Sequence, residues 1–505
     1  MKISSLVMRI HSKIVKALLS CSLIAPLALS AFAQTPNPAV IPTDLSNQPW
    51  WAARHKEVVE AARSHPDTQL LLIGDSITNN YDKAKLPNED FQPIWKQFYE
   101  PRKALNLGFS GDTTAHVLWR LDHGEVDGLH PKVVVLLIGT NNTSEHNNHT
   151  AEQTETGIDT VISELENRLP GTKILLLGIL PSDISESKTE RDQAVNAYLA
   201  TCYSENPLVT FLNINSIFYK NGALNTALFY DPRLPNHAKA LHPDTVGQRM
   251  MAEAIEPTLA RLMGDEPRVP LTAMTDINTA IIPVPKIEMD DYDWYARHHA
   301  ELEIQKKVKP QVVLIGDSIT HYWGGSPISG EVNGATAWQH VFGNMTAINM
   351  GFGWDRTQNV LWRLRQGELD GLTPKWIVLM IGTNNLTGTE NARSNTPEEI
   401  VEGVEAIYYE IHKSSPGSHI ILMAILPRGQ KPNGDLRAPI QKTNQLLSQR
   451  FSNDSSVTYL DIGASFLQPD GSLPQSMMPD GTHPTDVGYQ IWADALIKAG
   501  VKAGQ

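Results

Sequence analysis

The chain has almost no cysteine: Cys21 and Cys202 are the only two in 505 residues. One thiol beyond the amino-terminal stretch allows no intramolecular disulfide, so the fold must rest on packing even in an oxidising compartment. Cys202 has no histidine or cysteine at ligand spacing and is expected as a buried, inert thiol. Positive charge is also short, 42 Lys and Arg against 55 Asp and Glu, and the net charge of −13 argues against a phosphate-backbone partner. Nucleic acid is not expected. Walker, dinucleotide-binding and zinc-protease motifs are all missing, so no cofactor and no metal is expected. His146 and His149 have metal-ligand spacing, but beside Asn147 and Asn148 they read as a solvated loop.

Long apolar runs are missing too, except at the start. Lys2, Arg9, Lys13 and Lys16 precede a mostly apolar stretch, and Ala31-Phe32-Ala33 is a small-x-small cleavage signal. Residues 1–33 are read as a secretory signal peptide, which puts the mature chain in the periplasm or outside the cell, without stable membrane insertion after cleavage. Pro26 interrupts the stretch and makes it marginal for spanning a bilayer.

What the chain does have is a duplication. Gly-Asp-Ser-Ile occurs at Gly74 to Ile77 and again at Gly316 to Ile319. Val117 to Leu121 matches Val360 to Leu364, Gly124 to Lys132 matches Gly367 to Lys375, and Ile138 to Asn142 matches Ile381 to Asn385. The offset stays between 241 and 243 residues, far longer than a solenoid repeat and right for two copies of one whole domain. We assign domain 1 to residues 34–264 and domain 2 to 290–505, joined by a Pro-rich linker over 265–289, extended and semi-rigid.

Each copy alternates two patterns. Gln69 to Ile73, Lys132 to Ile138 and Lys173 to Leu180 are continuous aliphatic runs, as expected for strands covered on both faces; Gln311 to Ile315, Trp376 to Ile381 and His419 to Leu426 repeat them. Between the later two lies helical spacing, Ile158, Val161, Ile162, Leu165 and Leu169 in copy 1, and Ile400, Val404, Ile407 and Ile411 in copy 2. Thr396-Pro397-Glu398-Glu399 adds a capping box. The expected fold is α/β: two tandem three-layer α/β/α domains with parallel sheets. Trp51, Arg54 and His55, repeated at Trp294, Arg297 and His298, are read as a packed first helix.

A serine on the turn leaving a buried strand stands at the sheet edge where open α/β folds bind ligands. It needs a base, and each copy offers a His-Pro near its end, His242 and His483. In copy 2, Asp480 lies three residues before His483, so that a carboxylate can orient the imidazole. Ser76-Ile77-Thr78 lacks the second glycine of the α/β-hydrolase elbow, and that fold is set aside.

These blocks, with Gly111-Asp112-Thr113-Thr114, Val117 to Leu121, Gly139-Thr140-Asn141-Asn142 and the terminal His-Pro, resemble the SGNH (GDSL-type) hydrolases, specifically the branch of platelet-activating-factor acetylhydrolase catalytic subunits. The resemblance covers nearly all of both copies. It implies that Ser76 and Ser318 are nucleophiles and His242 and His483 their bases. It also implies an oxyanion hole from the serine N–H, a second backbone N–H at Gly111 or Trp354, and the side chain of Asn141 or Asn384.

Both copies depart from that pattern. Lys239, not aspartate, stands three before His242, where a cation would oppose formation of imidazolium; Asp231 is the alternative carboxylate if its loop folds back. In copy 2, Trp354 replaces the glycine; it keeps its backbone N–H, at a cost of about 1 to 2 kcal/mol if φ is positive, and it is also placed to shape an acyl or sugar pocket. The expectation is a serine esterase acting through an acyl-enzyme on short-chain, acetyl esters, O-acetylated carbohydrate being the natural target for an exported enzyme, with domain 2 the main site. The rivals are a lysophospholipase or thioesterase, or a domain 1 that only binds ester or glycan. Oligomeric state is not legible.

Overall fold

The computed structural model describes residues 36–204, 206–220, 222–232 and 239–502. The segment read as a signal peptide lies outside the described residues. The described residues from Pro38 onward form one compact unit.

In copy 1 the strands are β1 (Leu70–Gly74), β2 (Ala104–Gly108), β3 (Val133–Leu137), β4 (Lys173–Leu177) and β5 (Val209–Leu212), in the order β2-β1-β3-β4-β5 with every pairing parallel. Copy 2 repeats this with β6 (Val312–Gly316), β7 (Ala347–Gly351), β8 (Trp376–Met380), β9 (His419–Met423) and β10 (Val457–Leu460), in the order β7-β6-β8-β9-β10. The aliphatic runs mark β1, β3 and β4 and their counterparts to within a residue or so at the start. The edge strands β2 and β5 escape notice because Ala104-Leu-Asn-Leu-Gly108 and Val209-Thr-Phe-Leu212 are shorter on apolar residues.

Why the central strands read as continuous runs is plain from the packing. Leu70 and Leu72 of β1 join Val133 and Val135 of β3 in one core, while Leu71 and Ile73 join Val134 and Leu136 in the other. A strand buried on both faces has no position for a polar side chain. One face is covered by α1 (Pro49–Ser64), α4 (Thr114–Asp122), α5 (Ala151–Arg168) and α6 (Glu186–Cys202); the other by α3 (Gln92–Phe98) and α7 (Thr245–Met263). Between β1 and α3 lies the four-residue α2 (Ser76–Asn79).

Copy 2 places α8 (Trp294–Gln305), α9 (Ser318–His321), α10 (Ala335–Phe342), α11 (Thr357–Arg365), α12 (Pro397–Ser414), α13 (Arg437–Arg450) and α14 (Asp486–Lys498) in the corresponding layers. The capping box of α12 forms: Glu399 N–H donates to Thr396 Oγ1 (3.2 Å) and Thr396 N–H to the Glu399 carboxylate (3.0 Å).

Two readings need correction here. Cys202, expected buried, is exposed at the end of α6. Its i+3 and i+7 spacing from the buried Leu199 and Val195 would put it on the core face, but it is the last residue of the helix, beyond the helix's last buried position. The segment expected as a linker holds buried apolar residues, among them Met274, Ile277, Ala280 and Ile282, the first, second and fourth of which pack into the copy 1 core. It is also stitched to copy 2. Arg393 donates to the carbonyls of Met274 (2.7 Å) and Ile277 (2.9 Å), and Asn359 donates to that of Pro285 (2.7 Å). Thr357 Oγ1 donates to Ala280 O (2.8 Å), as Thr114 Oγ1 donates to Ala39 O (2.7 Å) in copy 1. The stretch from Thr279 onward therefore repeats the strap that precedes the first helix of copy 1. No helix among the described residues is long and apolar enough to cross a membrane.

Candidate active sites

Each serine opens a very short helix at the carboxyl end of the first strand. Gly74 and Gly316 before it are required by space: a Cβ at Gly74 would stand 2.4 Å from Leu137 O, and one at Gly316 2.5 Å from Met380 O. The aspartate of each Gly-Asp-Ser caps the helix, Asp75 accepting from Ile77 N–H and Asp317 from Ile319 N–H, both at 3.0 Å. Burial pushes both carboxyls up to about 7, against the pull of those hydrogen bonds.

In copy 2, Ser318 Oγ lies 2.8 Å from His483 Nε2, and His483 Nδ1 lies 2.6 Å from Asp480 Oδ2. A carboxylate only accepts, so Nδ1 carries the proton and Nε2 is left to accept from serine. Burial works against ionisation of Asp480. The backbone and ring N–H groups of His483, then the Thr482 N–H, outweigh it and hold the carboxyl below its usual range.

In copy 1 the same chain forms from a different source. Ser76 Oγ lies 2.8 Å from His242 Nε2, and His242 Nδ1 lies 2.8 Å from Asp231 Oδ2. Lys239 does not take the orienting position; Asp231, the alternative carboxylate, does. The Lys239 ammonium donates to Ile184 O (2.6 Å), away from the imidazole. An antiparallel bridge between Phe229 and Pro243, with Tyr230 N–H donating to His242 O (2.8 Å), lays Asp231 alongside the histidine. Ser76, His242 and Asp231 are all buried, whereas Asp480 is more than half exposed.

The remaining predicted residues converge on the loop after the second strand. Asn141 Nδ2 donates to Asp112 O (2.9 Å) and Asn384 Nδ2 to Asp355 O (3.0 Å), which ties each asparagine to the turn that carries Gly111 or Trp354. Gly111 has φ +83° and Trp354 φ +63°, so the tryptophan adopts the left-handed conformation of the glycine it replaces. The carboxylate of Asp112 accepts from Trp51 Nε1 and Arg120 Nε, both at 2.8 Å; Asp355 accepts from Trp294 Nε1 (2.8 Å) and Arg363 Nε (2.9 Å). The first helix is thus packed, as read, and its tryptophan also braces the site loop. The arginine of Val-Leu-Trp-Arg-Leu completes the brace, a role its apolar neighbours do not advertise.

The metal-spaced pair also needs correction. His149 is buried rather than solvated, its Nδ1 lying 3.1 Å from Asn142 Nδ2, because the loop folds over the asparagine that anchors Thr114. No group of three or more metal-ligating side chains occurs among the described residues.

A serine, imidazole and carboxylate in series at the carboxyl edge of a parallel sheet form the arrangement of a serine hydrolase, twice over. Residues 72–250 and 314–491 each match the GDSL-like lipase/acylhydrolase family, and the chain belongs to it. It is 37% identical over 216 residues to the platelet-activating factor acetylhydrolase IB subunit alpha2 of Rattus norvegicus, covering 42% of this chain and 86% of that protein. The alpha1 subunit of the same organism is 32% identical over 220 residues, covering 43% and 88%. Among solved structures, a GDSL-like lipase from Bacteroides thetaiotaomicron aligns with 41% of this chain and 98% of its own, at 20% identity and a TM-score of 0.34.

Proposed function

We propose that the protein is an exported esterase that removes short acyl groups, acetyl foremost, from carbohydrate hydroxyls, and that both sites turn over. The observation that carries the reading is the unbroken hydrogen-bonded series from serine through histidine to carboxylate in each copy, with Asp231 closing the series in copy 1. That series favours turnover over a copy 1 that only binds. The acetyl preference is supported by the acetylhydrolase names of the relatives. Export is supported by the basic and apolar start of the chain with its small-x-small signal.

Ser76 or Ser318 Oγ attacks the ester carbonyl as its proton passes to His242 or His483 Nε2, and Asp231 or Asp480 stabilises the resulting imidazolium. The tetrahedral oxyanion is held by backbone N–H groups and by Asn141 or Asn384. An amide nitrogen carries two hydrogens, and one is already committed to the Asp112 or Asp355 carbonyl, which fixes the direction of the other. Collapse expels the alcohol, which takes the proton from the imidazolium. Water then repeats the sequence on the acyl-serine and releases the acid.

Labelling by a serine-directed fluorophosphonate, read by intact mass, tests the active-site reading. The intact chain should take two adducts, Ser76→Ala and Ser318→Ala one each, and the double variant none. A chain that takes no adduct, or whose double variant hydrolyses acetyl esters undiminished, sinks the reading.

A further inference from the structure

The two sites differ most at one residue. The left-handed turn of copy 1 is made by Gly111, around which a Cβ would meet nothing within 4 Å. Copy 2 makes the same turn with Trp354, at φ +63°. A residue with a Cβ is strained there, and such strain persists only where the surroundings over-determine the backbone. They do so on both sides. The Asp355 carbonyl accepts from Asn384 and its carboxylate is held by Trp294 and Arg363. Tyr292 Oη donates to Gly353 O (3.3 Å), and Asp290 lies so close that a Cβ at Gly353 would be 2.0 Å from its carboxylate.

Core packing does not explain the tryptophan. The residue is 38% exposed, in contrast to Trp51, Trp323 and Trp492, which are buried. The turn it occupies is the one beside the nucleophile: Phe352 N–H, two residues earlier, donates to Gly316 O (3.1 Å), two residues before Ser318. A tryptophan left partly exposed on a strained turn next to a reactive serine is placed to meet a ligand.

Resting on the esterase reading above, we propose that Trp354 is a specificity-determining residue of the second site, stacking its indole on the pyranose ring that carries the acyl group. The axial C–H bonds of a sugar ring present partial positive charge to the negative face of an indole, and the flat contact buries apolar area without demanding a fixed hydrogen-bond pattern. The first site has glycine at this position and so no indole there. The two sites therefore differ in what they ask of the alcohol portion of the ester rather than of its acyl portion.

The test uses the full chain in the Ser76→Ala background, so that only the second site turns over. Two substrates are compared: an O-acetylated cellobiose, and methyl acetate, whose alcohol has no ring. Trp354→Gly should lower the ratio of kcat/KM for the acetylated sugar to that for methyl acetate about tenfold, mostly through KM, and Trp354→Phe should restore most of it. Thermal melting of each variant confirms that it is folded; Trp354→Gly should melt no lower than the parent, because glycine suits the turn. A ratio unmoved by Trp354→Gly overturns the proposal. So does a parent second site that hydrolyses methyl acetate but not the acetylated sugar, and that outcome leaves the esterase reading standing.

Discussion

At the scale of single residues, the two copies reach one arrangement by different routes. Asp480 orients His483 from three residues away on one tight turn; Asp231 reaches His242 across 11 residues by a backbone bridge. The chemistry asks only that a carboxylate oxygen meet Nδ1, and the chain between the two is free to vary. In the Ser318→Ala background, Asp231→Asn should therefore cut turnover of an acetyl ester about 10⁴-fold, while Lys239→Ala should change it no more than an ordinary surface substitution does. Steady-state kinetics decide it, and the reverse pattern would return the orienting role to the neighbourhood of Lys239. In the Ser76→Ala background, Asn384→Ala should lower kcat about 10² to 10³-fold. A loss confined to KM would remove Asn384 from the oxyanion hole.

At the scale of elements, the strand, turn and short helix around each serine form one unit, and its aspartate ties that unit to pH. Asp75 and Asp317 are pushed by burial to about 7, above the value near 3.9 of an exposed aspartate. The folded chain thus keeps protons that the unfolded chain releases. Their contribution to stability is fully present below about pH 4 and is lost as pH rises through about 7. The double variant Asp75→Asn, Asp317→Asn keeps the capping oxygen without a charge. Its melting temperature should fall less than that of the parent between pH 5 and pH 8, and an equal or steeper fall would show that both aspartates are ionised across the range.

At the scale of the whole molecule, the strap between the copies belongs to the fold on both sides. Met274, Ile277 and Ile282 lie in the copy 1 core, while Arg393 and Asn359 of copy 2 hold its carbonyls. Four prolines made it look like an extended tether, yet proline also suits a segment whose carbonyls are satisfied by side chains rather than by a ladder. Limited proteolysis of the native chain should leave 274–284 uncut, and early cleavage there would show that the strap opens independently of both domains.

What the sequence determined by itself was whatever a local pattern can carry. The strands of the sheet centre are legible because burial on both faces forbids polar residues. The Gly-Asp-Ser turns are legible because close packing and capping require those residue types side by side, and the duplication because it preserves both. The tertiary structure alone decided which carboxylate serves His242, that Trp51 and Arg120 brace the loop carrying Gly111, and that Cys202 faces outward while His149 is buried. Each of these depends on contacts between segments far apart in the chain or on the direction of one side chain. Spacing along a sequence measures neither, because chain reversals bring residues together at no fixed interval.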